Sequence, residues 1–79
     1  MTSITLEENI PLLVTPTALS IALVQNSMTT NDDPLMASTH GDPALPWVKI
    51  PPGDYLRFDT AMYFMQKSWK AFTFPVIEV

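Results

Sequence analysis

His40 is the single histidine of this 79-residue chain, and Asp32, Asp33 and Asp42 lie close to it in sequence. A metal site asks for three or four ligands in a defined geometry. Asn31-Asp32-Asp33 lacks the alternating acids and the glycine of a calcium loop, so His40 reads as a solvated turn residue. Nucleophilic catalysis would need a serine or threonine held against His40 by a third group. No Gly-x-Ser-x-Gly or comparable turn frames any serine. We therefore expect no enzyme, no catalytic or metal-ligating residue and no cofactor. Trp47, Tyr55, Tyr63 and Trp69 could form an aromatic platform for a sugar or a peptide. Aromatics on strands more often fill a core or an interface, and that is the reading we prefer.

The elements that would position these residues are strands. Thr2–Glu8 alternates, with Ile4 and Leu6 on one side. Ile10–Val14 is a short apolar run ended by Thr15-Pro16. In Thr17–Gln25, Leu19, Ile21 and Leu23 share one face and Ala18, Ser20, Ala22 and Val24 the other. Both faces are mostly apolar, which predicts a central strand covered on two sides. Trp47–Ile50 is a strand closed by Pro51-Pro52-Gly53-Asp54, since proline presets φ and glycine supplies a positive one. Tyr55–Phe58 follows, with Leu56 and Phe58 on one side. Asp59–Phe72 could form an amphipathic helix capped by Asp59, but its neighbours are strands. We prefer a hairpin over 59–72 with Lys67-Ser68 at its tip. Lys70–Val79 sets Phe72, Phe74 and Val76 together.

The pattern predicts one all-β domain over 1–79, a small antiparallel β-sandwich or jelly-roll-like barrel of 6–7 short strands. Residues 26–46 lack periodicity and read as one long ordered loop or arm. Loops of that length are uncommon unless they do something. Met28, Asp32, Asp33, Leu35, Met36 and Asp42 are its candidate partner contacts, and a loop packed on its own domain is the alternative.

Composition adds a constraint. Apolar residues make up 47% of the chain and charged residues 15%, whereas a domain this small buries only about 63% of its unfolded surface. Apolar surface is left over and must meet another surface. No stretch approaches 18 apolar residues, which argues against a membrane helix. With a net charge of −4 the chain is a poor candidate for nucleic acid. It has no cysteine for a disulfide framework. The first Lys or Arg is Lys49, so we expect no basic leader and a chain that begins at Met1 or Thr2. Met62, Phe64, Phe72 and Phe74 are the candidate oligomer contacts.

Leu19-x-Ile21-x-Leu23-Val24-Gln25-Asn26, followed by Trp47-Val48-Lys49-Ile50-Pro51-Pro52-Gly53-Asp54-Tyr55-Leu56-Arg57-Phe58, resembles a pattern in small β-sandwich virion proteins of tailed bacteriophages. Those proteins decorate or cement capsids, or serve as head or tail accessory parts. The resemblance covers about half of the chain, and residues 26–46 stand where the pattern has a shorter link. It implies a non-enzymatic structural protein, a homo-oligomer with a trimer favoured, and a major capsid or other virion protein as partner. It also implies a place in the virion, assembled in the host cytoplasm. Two other functions are compatible with the residues. One is a carbohydrate- or peptide-binding module built on Trp47 and Trp69; the other is an acidic inhibitor of a host enzyme.

Overall fold

The computed structural model describes residues 3–29, 35–68 and 70–79. The described residues contain no helix and eight strands: β1 Ser3–Leu6, β2 Leu12–Val14, β3 Ala22–Gln25, β4 Leu35–Ser38, β5 Val48–Ile50, β6 Tyr55–Phe58, β7 Met62–Met65 and β8 Phe72–Glu78. They form two four-stranded sheets, β1-β8-β3-β6 and β2-β7-β4-β5. Every pairing is antiparallel, and the plan is nested. β4 pairs with β5, β3 with β6, β2 with β7 and β1 with β8. The chain is thus one long hairpin, closed at β4–β5 and rolled up so that β3–β8 and β4–β7 also join. That is the eight-stranded jelly roll.

The core lies between the sheets. Alternation places Ile4, Leu6, Phe74, Val76, Ala22, Val24 and Phe58 inward from the first sheet. Val14, Phe64, Leu35, Ala37 and Ile50 meet them from the second. The Phe58 and Phe64 rings touch across the gap, 5.3 Å between centroids. β8 is handed from one partner to another. Its residues through Pro75 pair with β1, and those from Val76 pair with β3. The proline, which has no N–H, stands where the partner changes.

Several expectations are corrected. Residues 26–46 are not one loop or arm, because Leu35–Ser38 forms β4, buried along its whole length between β7 and β5. The Cα radius of gyration, 11.5 Å, matches the roughly 11.6 Å of a compact chain this long. Among the described residues, 59–72 contain strands and no helix, but no hairpin either: β7 belongs to the second sheet and β8 to the first. Pro51–Asp54 likewise carries the chain from one sheet to the other, with Asp54 N donating to Pro51 O at 3.1 Å. The strand expected over 17–25 is shorter. A turn closed by Ser20 N to Thr17 O (2.9 Å) holds Leu19 at φ 66° with its side chain in solvent. β3 is central as expected, yet only its Ala22 and Val24 face reaches the core.

A rolled hairpin must bend both of its strands at each corner, and bending breaks ladder hydrogen bonds. Two fully buried amides replace them. Asn26, after β3, donates from Nδ2 to Ile50 O (2.6 Å) and accepts Met28 N on Oδ1 (2.9 Å). Its backbone exchanges bonds with the β5–β6 corner, from Asn26 N to Asp54 O and from Gly53 N to Asn26 O. Gln66, after β7, donates from Nε2 to Leu6 O (3.0 Å) and Lys70 O (2.9 Å), and its Oε1 accepts Ser68 N. Gln66 O accepts Asn9 N from the β1–β2 corner. Replacing either amide strands buried backbone groups. Asn26→Leu and Gln66→Leu should each lose about 2–4 kcal/mol, read as a lower urea midpoint at unchanged slope.

The remaining corner is tied by Glu78. Hydrogen bonds from the Thr17 hydroxyl and from Thr17 N (3.1 Å) hold its carboxyl below the usual glutamate range. A lowered folded-state pKa stabilises the fold above the unfolded value, near 4.3, and that stabilisation disappears as pH falls through the lowered one. Denaturation of Glu78→Gln beside the wild type should show a gap at pH 7 that closes on acidification below about pH 4.

Candidate functional site

The outer faces of the two sheets carry different residues. On the second sheet, alternation turns Leu13, Tyr63, Ser38, Met65 and Met36 outward. Ser38, Met36 and Met65 are nonetheless buried. The connection between β4 and β5, residues 39–47, starts against Ser38. Ser38 Oγ accepts His40 N (3.1 Å) and Gly41 N (3.0 Å) at its start. The His40 ring then fastens it, with Nδ1 accepting Asp42 N and Nε2 against Pro46 O, both at 2.9 Å. Since Nδ1 accepts, Nε2 carries the proton and donates. Asp42 Oδ1 accepts Ala44 N, and Trp47 Nε1 donates to Asp42 O at 2.8 Å. The Trp47 and His40 rings meet edge to face at 5.5 Å.

Every candidate ligand of this loop is therefore used to close it. Among the described residues, no three acids or histidines are grouped to hold a metal. Asp32, Asp33 and Trp69 lie outside the described residues. The described aromatics do not form one platform. Trp47 and Tyr63 belong to the outer side of the second sheet, separated by β4, and Tyr55 lies on the outer face of the first.

The other candidate contacts also have places. Phe64 and Phe74 have no exposed surface and fill the core, so neither can serve a second copy while the sandwich is closed. Met62 and Phe72 pack against that core from its margin, Phe72 on Phe74 at 4.9 Å. Of the supposed arm, Leu35 and Met36 are buried in β4 and Met28 packs on the core. Asp42 closes its own loop.

Apolar side chains are exposed on the second sheet at Leu13 and, in a group, on the outer face of the first sheet. The register sets Arg57, Leu23 and Ile77 in one row across β6, β3 and β8. Ile21 and Val79 continue into the next row, since they exchange both backbone hydrogen bonds, at 3.0 and 2.9 Å. Asp59 follows Arg57 beside Ile21, and both charged residues border an open depression of about 240 Å³ with Ile21 and Phe58. Tyr55 opposes Gln25, and the Thr5 and Thr73 hydroxyls join at 2.9 Å near the far edge. Ile77 is 48% exposed and Val79 73%, while Leu23 and Ile21 are half-covered.

The sequence signal for this face was the second apolar side of Thr17–Gln25. Leu23 and Ile21 belong to it, as a side that the chain's own core does not use. The interface residues expected from sequence were the largest aromatics, and those the core had taken.

Compared with known proteins, the chain matches no family model, no curated protein and no solved structure.

The connection between β4 and β5 packs closely on Tyr63 at Gly41, whose φ is +71° and whose added Cβ would stand 2.8 Å from the Tyr63 ring. Gly41→Ala should lose about 2 kcal/mol or more in denaturant titration. In a Tyr63→Ala background the same substitution should lose less, because the backbone strain remains but the clash is gone.

Proposed function

We propose that this chain is a non-enzymatic structural protein that works by docking, as a homo-oligomer, on a larger assembly. One observation carries the reading. The outer face of the first sheet leaves Ile77 and Val79 largely exposed, with Leu23 and Ile21 half-covered beside them and the charged Arg57 and Asp59 at its edge. At about 25 cal/mol per Å² of apolar area, a partner that covers this face gains several kcal/mol per copy. Many modest contacts of that kind add up when copies sit side by side on a lattice.

The assembly we propose is the virion of a tailed bacteriophage, with the chain decorating or cementing the capsid or serving as a head or tail accessory part. The support is the resemblance of Leu19–Asn26 and Trp47–Phe58 to small virion proteins of that kind. In the fold these two segments meet, since Asn26 bonds to Ile50, Gly53 and Asp54. They form one corner of the fold.

An antibody raised against the chain tests the proposal. The protein should band with phage particles in a density gradient of an induced lysate, and the antibody should decorate those particles in electron micrographs. Protein found only in the soluble fraction, with undecorated particles, would sink the virion assignment.

A further inference from the structure

The open face has an internal order that selects its occupant. One row reads Arg57, Leu23, Ile77 and the next reads Asp59, Ile21, Val79, from β6 through β3 to β8. Each row thus runs from a charged residue at the sheet edge to two apolar residues inward, and the two charges are opposite. Among the described residues, neither the Arg57 nor the Asp59 side chain has a hydrogen bond or an ion pair.

We propose that this face is occupied by a second copy of the chain, turned about a twofold axis that runs across the strands between the two rows. The inference rests on the reading of this face as a docking surface. Such a rotation lays each row on the other row of the partner. Arg57 then faces Asp59 of the partner subunit, and Asp59 faces the partner subunit's Arg57. Leu23 covers Ile21, and Ile77 covers Val79. An isologous contact must be self-complementary in this way.

A uniformly acidic or basic partner would meet one of the two charges with its own sign, and like charges juxtaposed at an interface cost several kcal/mol. A second copy meets both with the opposite sign. Although each copy carries −4, the contact itself is neutral. Two sheets packed this way keep their strands aligned to within about 30°. A twofold pair takes the place of the trimer that the virion resemblance implied.

Charge reversal tests the contact, because both residues are on the surface and tolerate substitution. Native mass spectrometry and sedimentation velocity should give a dimer for the wild type. Arg57→Asp sets two acids against each other across the axis, and Asp59→Arg sets two bases. Each should weaken dimerisation by more than about tenfold. The double variant Arg57→Asp, Asp59→Arg restores opposite signs and should restore the dimer. A wild-type monomer, a mass of three or more copies, single variants that dimerise unchanged, or a folded double variant that stays monomeric would each overturn the twofold contact. A wild-type monomer that still bands with phage particles overturns the contact and leaves the virion assignment standing. A dimer absent from particles does the reverse.

Discussion

The fold depends on what happens to backbone hydrogen bonds where a long hairpin bends. A ladder running from β4–β5 out to β1–β8 cannot roll into two layers without interruption, and each interruption leaves N–H and C=O groups inside the protein. Buried groups without partners cost about 1–3 kcal/mol each. Asn26 and Gln66 meet that demand because a carboxamide offers both donors and an acceptor at one point. Each stands where two stretches of chain pass between the sheets side by side: the β3–β4 and β5–β6 connections at Asn26, the β1–β2 and β7–β8 connections at Gln66. Remove them and the apolar layer has no fixed corners to pack against. The polar framework is small, but the core geometry follows from it.

With the corners set, two outer faces remain, and apolar side chains are exposed on both, Leu13 on the second sheet and Ile77 and Val79 on the first. The connection at the closed end of the hairpin is fastened by His40, Trp47 and the close seat of Gly41 on Tyr63. On the first sheet Ile77 and Val79 lie beside the half-covered Leu23 and Ile21. A chain with 47% apolar residues and so little interior leaves part of its excess there.

Much of the architecture was legible in the residues. Ile4 and Leu6, Leu56 and Phe58, and Phe74 and Val76 alternate as half-buried strands do, and Pro51–Asp54 marks a reversal. β4 was hidden because Leu35-Met36-Ala37-Ser38 is buried on both faces. Such a strand has no alternation to read; the only mark is a short apolar run between turn residues. Leu19 alternates correctly with Ile21 and Leu23, but the turn at Thr17–Ser20 takes it out of the sheet before the pattern ends. Pairing partners were the least legible feature. Whether β7 turns back on itself or crosses to the other sheet is decided by Gln66 and its distant acceptor Leu6 O, and local sequence does not show an acceptor that far away.

The nesting also sets an order in time. Ribosomes release the chain from β1 towards β8, yet the pairs that close first are those with the least loop to order, β4 with β5. Closure then spreads outward from the middle of the sequence. β1 is made first and must wait longest, because its partner Pro75 lies at the other end of the described strands, 72 positions from Ser3. β8 is also the bridge between β1 and β3, so β1 has no place in the first sheet until β8 is made. The sheet that holds the earliest strand is thus completed by the latest of the described ones.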